Sequence, residues 1–419
     1  MASHTLVHIC SYNSNMQGDA LAQDLVDWLA PTLTTSTFLA NQSRTPDLVV
    51  VGFQELLPLH LGFTGRSGPA LNSRDKLIRR TIEEHNKAPY SLVAKFANVG
   101  VAILVYAKDE ENGLARRIRD VETEWAACGP MWLGNKGAVG IRFRVVDSGS
   151  PESAGEIYTF VNAHLTAHAQ YLEQRVQNFQ HIARTMLFKP VHPSTSNIAS
   201  TIYDTTHLFF FGDLNFRISP PPPKALTLAE IIKLNTTVDG RRELIKHDQL
   251  KQVMAEGRVG FGLREGEVEQ FPLSYKYDIG SVTEYNACRV PSWTDRILYT
   301  TASDEPSNPT QSNIKNILYT TILAFTKSDH KPVTALLLVP SPPAGGSRTS
   351  PALLTPPPAH LDYVPYHSHK LAGKVIGKAL DYAVGSVWFT LWALGAGHAG
   401  IGIVNAILVM IAIIYWKSG

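Results

Sequence analysis

Cysteine is scarce in this chain: Cys10, Cys128 and Cys288 are all it has, an odd number in no metal-ligand spacing. That excludes a small disulfide-stapled scaffold and a thiolate zinc site. An excess of one charge is missing too. Lys and Arg number 38 against 36 Asp and Glu, and the resulting +2 is too small to argue for a nucleic-acid partner. The N-terminus shows no signal-peptide pattern, so the folded part is expected in a reducing, cytosolic setting. Long apolar runs are absent until well beyond residue 380. The 419 residues, 44% apolar and 18% charged, therefore bound an ordinary globular protein of one large domain plus extras, or two domains.

What is present is strand after strand that closes on a polar group. His207-Leu208-Phe209-Phe210-Phe211 has no helical gaps and suits a strand buried on both faces; it ends in Gly212, Asp213 and Asn215. An acid and an amide two residues apart at a strand end can orient a water and take its proton, although an Asx turn would look the same. The arrangement recurs. Leu6–Tyr12 closes on Asn13 and Asn15, Asp47–Phe53 on Gln54 and Glu55, and Ile157–Val161 on Asn162 and His164. Val99–Tyr106 and Gly137–Val146 read as an antiparallel pair, separated by the turn Gly134-Asn135-Lys136-Gly137, whose amides and lysine can face an anion. The last strand is expected at Ile317–Phe325, ahead of Ser328-Asp329-His330. Helices are expected at about Gln17–Ala30, Ser73–Asn86, Ala169–Leu187 and Leu226–Glu256. Strands outnumber helices without obligatory crossovers, which favours an α+β architecture of two mixed sheets packed face to face with helices outside.

Each polar residue has an ordinary structural explanation by itself; the argument lies in their joint occurrence. Asn13, Glu55, Asp213 and Asp329 offer hard oxygen ligands of the kind that bind Mg²⁺ with waters retained. His164 and His330 offer donors to a phosphoryl oxygen, and Asp295 can orient one of them.

The motifs Asn162-Ala163-His164-Leu165, Gly212-Asp213-Leu214-Asn215-Phe216-Arg217, Arg289-Val290-Pro291-Ser292-Trp293-Thr294-Asp295-Arg296 and Ser328-Asp329-His330 resemble those of the inositol polyphosphate 5-phosphatases. Tyr12-Asn13, Phe53-Gln54-Glu55 and the 134–137 turn fit the same family in the same order, so the resemblance runs over about residues 4–340. The Trp-x-Asp-Arg block is its most specific part, since the wider DNase I-like nucleases share the metal and histidine positions without it. The resemblance implies a four-layer α/β/β/α sandwich. It further implies that Glu55 and Asn13 hold Mg²⁺ against the scissile 5-phosphate, with Asp329 on the metal side. Asp213 would activate the water, Asn215 would fix it, and His164 and the Asp295-held His330 would bear on the phosphoryl oxygens. Tyr275, Lys276 and Arg289 match positions that grip the neighbouring 4-phosphate, with Asn135 and Lys136 also facing the substrate. No phosphoenzyme is expected, because Cys288 lacks a surrounding phosphate loop. One departure stands out. Family members carry a second basic residue where this chain has Ala287, and one lost charge-assisted contact is worth roughly 1.5–3 kcal/mol.

Beyond Pro340 the composition changes. Residues 341–369 are rich in Pro, Ser and Gly and read as a semi-rigid, unpacked linker. Lys370, Lys374 and Lys378 then give one basic helical face, and Asp381 is the last charge before Lys417. A span needs about 20 residues, so Ala396–Trp416 is expected to form a C-terminal transmembrane helix with Tyr415 and Trp416 at the interface. Val387–Leu394 would lie in the interface or form the first arm of a hairpin. The positive-inside rule keeps the catalytic domain in the cytosol. The layout resembles fungal 5-phosphatases tail-anchored in the endoplasmic reticulum, which makes that membrane the expected location. A chain ending after Pro340 is expected to be soluble and active on soluble substrates.

The expected function is thus Mg²⁺-dependent removal of the 5-phosphate from a phosphoinositide headgroup, with phosphatidylinositol 4,5-bisphosphate giving phosphatidylinositol 4-phosphate. A phosphoinositide-binding membrane protein without turnover, and a nuclease on the same fold, stay open as alternatives.

Overall fold

The apolar runs do form strands, and the computed structural model arranges them in two six-stranded sheets. It describes residues 4–16, 24–41, 44–147, 154–191, 199–219, 226–308, 310–341, 350–354 and 368–418. The strands are β1 (Thr5–Asn13), β2 (Leu48–Gln54), β3 (Tyr90–Asn98), β4 (Val101–Lys108), β5 (Ile118–Ala127), β6 (Gly137–Val145), β7 (Glu156–His164), β8 (His207–Asp213), β9 (Arg264–Glu265), β10 (Asp295–Thr301), β11 (Lys315–Thr321) and β12 (Val333–Val339). One sheet runs β11-β12-β1-β2-β4-β3 and the other β5-β6-β7-β8-β10-β9. β1 and β2 are parallel, as are β7 and β8, while the remaining pairs are antiparallel, so both sheets are mixed.

Strand period two explains the layers. In β8, Phe209 and Phe211 face the other sheet, in a core with its Val7, Ile9, Val50 and Ile103. Leu208 and Phe210 face outward against Phe179 and Ile182 of the helix Leu172–Thr185. The outer face of the first sheet packs Val49, Val51 and Leu104 on Leu33 of Leu29–Ala40 and on Ile78 and Ile82 of Ser67–Asn86. The result is helices, sheet, sheet, helices.

Several expectations need correction. β4 and β6 are not a pair; β4 lies between β2 and β3, and β6 between β5 and β7 in the other sheet. The true neighbours β3 and β5 are half-exposed, polar-mixed edge strands with register shifts, so no strong apolar signal marks them. The last strand is not Ile317–Phe325. β11 stops at Thr321, and β12 follows the Ser328–His330 loop and pairs with β1. The stretch Leu226–Glu256 breaks into Leu228–Asn235, Val238–Ile245 and Gln249–Ala255, each restarted by a capping Thr or Asp. Of the helix expected at Gln17–Ala30, residues 17–23 lie outside the described residues, and the rest is Asp24–Asp27 followed by Leu29–Ala40.

The tail also differs. The linker is not unpacked throughout: Thr206 Oγ1 donates to Ala352 O at 2.7 Å, the Leu354 amide donates to Thr205 O at 2.8 Å, and Leu354 joins the outer core of the second sheet. Residues 342–349 and 355–367 of that linker, including Pro356-Pro357-Pro358, lie outside the described residues. Two helices follow, Ser368–Leu394 and Ala399–Ser418. Among the described residues no single helix is long and apolar enough to cross a membrane. Gly373–Leu394 and Ala399–Ile414 meet that description only together, bent by 84°. The single span from Ala396 to Trp416 is thereby replaced by a bent pair, because the chain turns through Gly395-Ala396-Gly397 with Ala396 and Gly397 at positive φ. The side chains of Lys370, Tyr415 and Trp416 lie outside the described residues.

Candidate active site

Strand register assembles the centre. β7, β8 and β10 are neighbours, with His164 opposite Asp213 and Asp213 opposite Asp295. Three motifs far apart in sequence therefore end side by side at one edge of the sandwich. In the other sheet β1 and β2 end together with Asn13 opposite Gln54. The two edges are joined across the sandwich, since Asn13 Nδ2 donates to Asp213 Oδ2 at 2.9 Å and Gln54 Nε2 to Asn162 Oδ1 at 2.6 Å.

Asp213 is the hub. His164 Nε2 lies 3.3 Å from its Oδ2 and His330 Nε2 lies 4.0 Å from the same oxygen. Burial alone would raise the Asp213 carboxyl. The His164 hydrogen bond and the charges of His330 and Lys136 outweigh it and hold the carboxyl well below the usual carboxylate range. His330 is the complementary case. Burial would pull its imidazole down, but Asp295, then Asp213, raise it from 6.5 to about 10, so the ring is a cation at neutral pH. Its Nδ1 stands 3.0 Å from Asp295 Oδ2, and that carboxylate is fixed by the Ser274 and Thr294 hydroxyls at 2.7 and 2.8 Å.

The basic residues line the same edge. Lys136 Nζ contacts His164 Nε2. Burial lowers the Lys136 ammonium from its ordinary value, while Glu55 and Asp213 act in the opposite direction. Lys276 Nζ donates to Asp329 Oδ2 at 2.7 Å, and Arg289 is exposed but close enough for its charge to act on Lys276. The Tyr275 ring lies between the Arg217 guanidinium, 4.4 Å from its centroid, and the His330 ring at 4.4 Å. Asn135 is less engaged: its Oδ1 is buried without a hydrogen-bond partner.

The donor set fits a hard cation, although unequally. Oxygens of Asp213 and Asp295 and a nitrogen of His330 lie within 4.8 Å of one another. A cationic imidazole locked to Asp295, however, belongs to a charge pair and is a poor ligand. Glu55 suits better. Its carboxylate is a quarter exposed, Oε1 is 3.8 Å from His164 Nε2, and no described residue donates a hydrogen bond to it. Glu55 also holds a left-handed backbone, φ +50°, with Ser14 Oγ donating to its carbonyl at 2.8 Å. Asn13 adjoins through Asp213, whereas Asp329 is neutralised by Lys276 and is the weaker candidate.

Sequence reasoning gave no role to Arg217, Ser274 or Thr294. Arg217 bonds Asn215 Oδ1, while Asn215 Nδ2 donates to Leu165 O at 3.1 Å, so Asn215 ties two loops together. Position two residues after Asn215 within one motif was the available signal for Arg217; hydroxyls such as Ser274 and Thr294 give none. Trp293 and Arg296 are structural. Trp293 is fully buried in the inter-sheet core, and Arg296 pairs with Asp248 at 2.9 Å and Glu265 at 2.6 Å with all three side chains buried.

Comparison with known proteins gives one consistent picture. The model of the family described as Endonuclease/Exonuclease/phosphatase family 2 matches residues 10–336. The chain is 32% identical over 314 residues to the type II inositol 1,4,5-trisphosphate 5-phosphatase of Mus musculus, covering 74% of this chain and 28% of that protein. It is 30% identical over 344 residues to Synaptojanin-1 of Homo sapiens, covering 75% of this chain and 20% of that one. The chain thus spans less than a third of the length of these relatives. Among solved structures, the inositol polyphosphate 5-phosphatase domain of SPsynaptojanin, in complex with inositol (1,4)-bisphosphate and calcium, superposes with a TM-score of 0.61 at 21% identity, covering 92% of this chain and 91% of that one. A Cimex nitrophorin, a ferrous NO complex, superposes at 0.52 and 20% identity, over 81% of this chain and 99% of that one. Both likenesses show the fold alone.

Proposed function

Because the chain belongs to the endonuclease/exonuclease/phosphatase family, whose model it matches over residues 10–336, we propose that it hydrolyses the 5-phosphate of an inositol phosphate headgroup, converting phosphatidylinositol 4,5-bisphosphate to phosphatidylinositol 4-phosphate. The observation that carries this reading is Asp213 set between His164 and the Asp295-held His330, at an edge lined by Lys136, Arg217, Lys276 and Arg289. A phosphomonoester brings two negative charges and needs cationic donors on its equatorial oxygens; His330 supplies one at neutral pH and His164 a second hydrogen bond. Asp213 accepts a hydrogen from the attacking water and aims it. A carboxylate held this far below its usual range orients the water more than it stores the proton, and a loose, metaphosphate-like transition state asks for little more. Mg²⁺, held by Glu55 with Asn13, would neutralise charge on the phosphate and on the departing oxygen. Lys276 and Arg289 are the groups available to a 4-phosphate; Ala287 adds nothing there.

The sequence relatives, an inositol 1,4,5-trisphosphate 5-phosphatase and Synaptojanin-1, support the same chemistry. The bent C-terminal pair is compatible in length and composition with attachment to a membrane; the cytosolic face of the endoplasmic reticulum is part of this proposal and rests on the resemblance of the layout to tail-anchored 5-phosphatases. The test is phosphate release from a panel of phosphoinositides and soluble inositol phosphates, with and without Mg²⁺. Release confined to 5-phosphorylated species in the presence of Mg²⁺ is expected. Release from nucleic-acid ends instead, or from none of the panel, would overturn the proposal.

A further inference from the structure

The helix Ser368–Leu394 does not stand apart from the catalytic domain. Lys374, Gly377, Lys378, Asp381, Gly385, Phe389 and Trp392 recur at helical spacing on one face. Lys374 pairs with Glu124, and Lys378 Nζ donates to Asn98 Oδ1 at 3.0 Å. Gly385 lets the helix approach so closely that a Cβ there would stand 2.7 Å from Phe63 backbone carbon and 2.8 Å from Thr64 N. Trp392 stacks on His60 with centroids 4.9 Å apart. Val375, Val384 and Val387 of the same helix are exposed. The basic face read from the sequence is therefore spent, at Lys374 and Lys378, on the protein itself.

In the middle of this contact Asp381 is fully buried, and its Oδ1 accepts the Gly134 N–H at 2.9 Å. Burying a carboxylate is costly, and an apolar side chain would fill the same place without that cost. The bond is aimed at one amide of the turn that carries Asn135 and Lys136. Gly134 is hemmed in: a Cβ there would meet Asn98 Nδ2 at 2.6 Å and Asp381 Oδ2 at 3.0 Å. Two residues on, Lys136 presents its ammonium to His164.

We propose that Asp381 is a positioning residue. Through the Gly134 amide it fixes the turn that sets Lys136 against His164, which makes the docked helix a working part of the catalytic unit as well as the link to the membrane segment. The kinetic part rests on the phosphatase reading above.

The experiment uses the full chain in detergent, with a soluble inositol trisphosphate as substrate so that membrane recruitment plays no part. Asp381→Ala is expected to raise KM by about tenfold or more, with kcat falling less. Asp381→Asn, which keeps an acceptor oxygen for Gly134, is expected to stay within about twofold of the parent. Partial unfolding would instead lower kcat and leave KM alone. Gly385→Val, which wedges the helix off without touching the 129–137 turn, should reproduce the KM effect should Asp381→Ala fold poorly. In parallel, hydrogen exchange at the 134–137 amides should quicken in Asp381→Ala and not in Asp381→Asn. Kinetics and exchange unchanged in both Asp381→Ala and Gly385→Val would overturn the proposal, as would equal impairment of Asp381→Asn and Asp381→Ala. Should the parent release no phosphate at all, the functional reading fails, and the exchange measurement alone decides whether Asp381 orders the turn.

Discussion

Asp295→Asn tests the charge logic of the site most directly. His330 and Asp295 are 5% and 0% exposed, with Nδ1 and Oδ2 3.0 Å apart. Against burial, Asp295, then Asp213 and Asp329, raise the imidazole from 6.5 to about 10, a preference for the cation of roughly 5 kcal/mol. Asp295 is the largest of these charges, so neutralising it removes about 3 kcal/mol and lets burial pull the ring back toward neutrality. A base whose folded pKa is raised contributes its full stabilisation below its unfolded value of 6.5 and loses it as pH climbs through about 10. The parent's unfolding free energy should accordingly decline between those limits while the variant's stays flatter. The gap between them should be about 3 kcal/mol near pH 6 and close toward pH 10. Urea unfolding at half-unit pH steps, with the His330 ring followed by NMR, measures both quantities. Phosphate release at neutral pH should fall about 10²–10⁴-fold, because the ring loses the carboxylate that orients it and stabilises its charge. A stability gap constant from pH 6 to 10, with a His330 titration unmoved by the substitution, would refute the reasoning.

Other perturbations separate the remaining roles. Asp213→Asn should lower turnover by about 10²–10⁴-fold while headgroup binding persists, and chelation of Mg²⁺ or Glu55→Gln should act comparably; turnover equal to the parent removes the residue concerned from the mechanism. Ala287→Lys should raise the ratio of kcat/KM for the 4,5-bisphosphate over the 3,5-bisphosphate lipid, and an unchanged ratio means that position 287 does not face the 4-phosphate. Ending the chain after Leu394 should abolish pelleting with carbonate-washed membranes but spare hydrolysis of soluble substrates. Ending it after Pro340 should in addition raise KM for those substrates, since the Asp381 contact goes with it; equal kinetics of the two shortened chains would show the docked helix to be dispensable.

What could be read from the sequence follows a physical line. β8 was legible because Leu208-Phe209-Phe210-Phe211 is an unbroken apolar run without helical gaps, the pattern of a strand buried on both sides. The strand-end acids and histidines were legible because buried polar groups at recurrent positions need a common reason. Strand pairing was not. β4 and β6 both look like good strands, and only the edge strands β3 and β5, whose side chains face partly to water, would have shown that they belong to different sheets. Ser274 and Thr294 were invisible because a hydroxyl is common and its partner, Asp295, is brought to it only by folding. The tail misled for a similar reason. Lys374 and Lys378 have the spacing of a solvated face, and nothing local reveals that Glu124 and Asn98 are waiting for them.

The place of β1 has a consequence for how the protein comes into being. It lies between β2 and β12, and Ser328 Oγ closes on Asn13 O at 2.9 Å, so the beginning and end of the domain meet beside Asp213. Contacts so distant along the chain form late and slowly, because the entropy of a loop of that size is lost before any pairing repays it. During synthesis the first sheet has an open edge on β1 until residues 333–339 have emerged, and that exposed edge invites association with other strands. From the emergence of β1 until that of β12, a growing chain therefore has its candidate site unassembled and one sheet edge unguarded, and both conditions end in a single event when β12 docks.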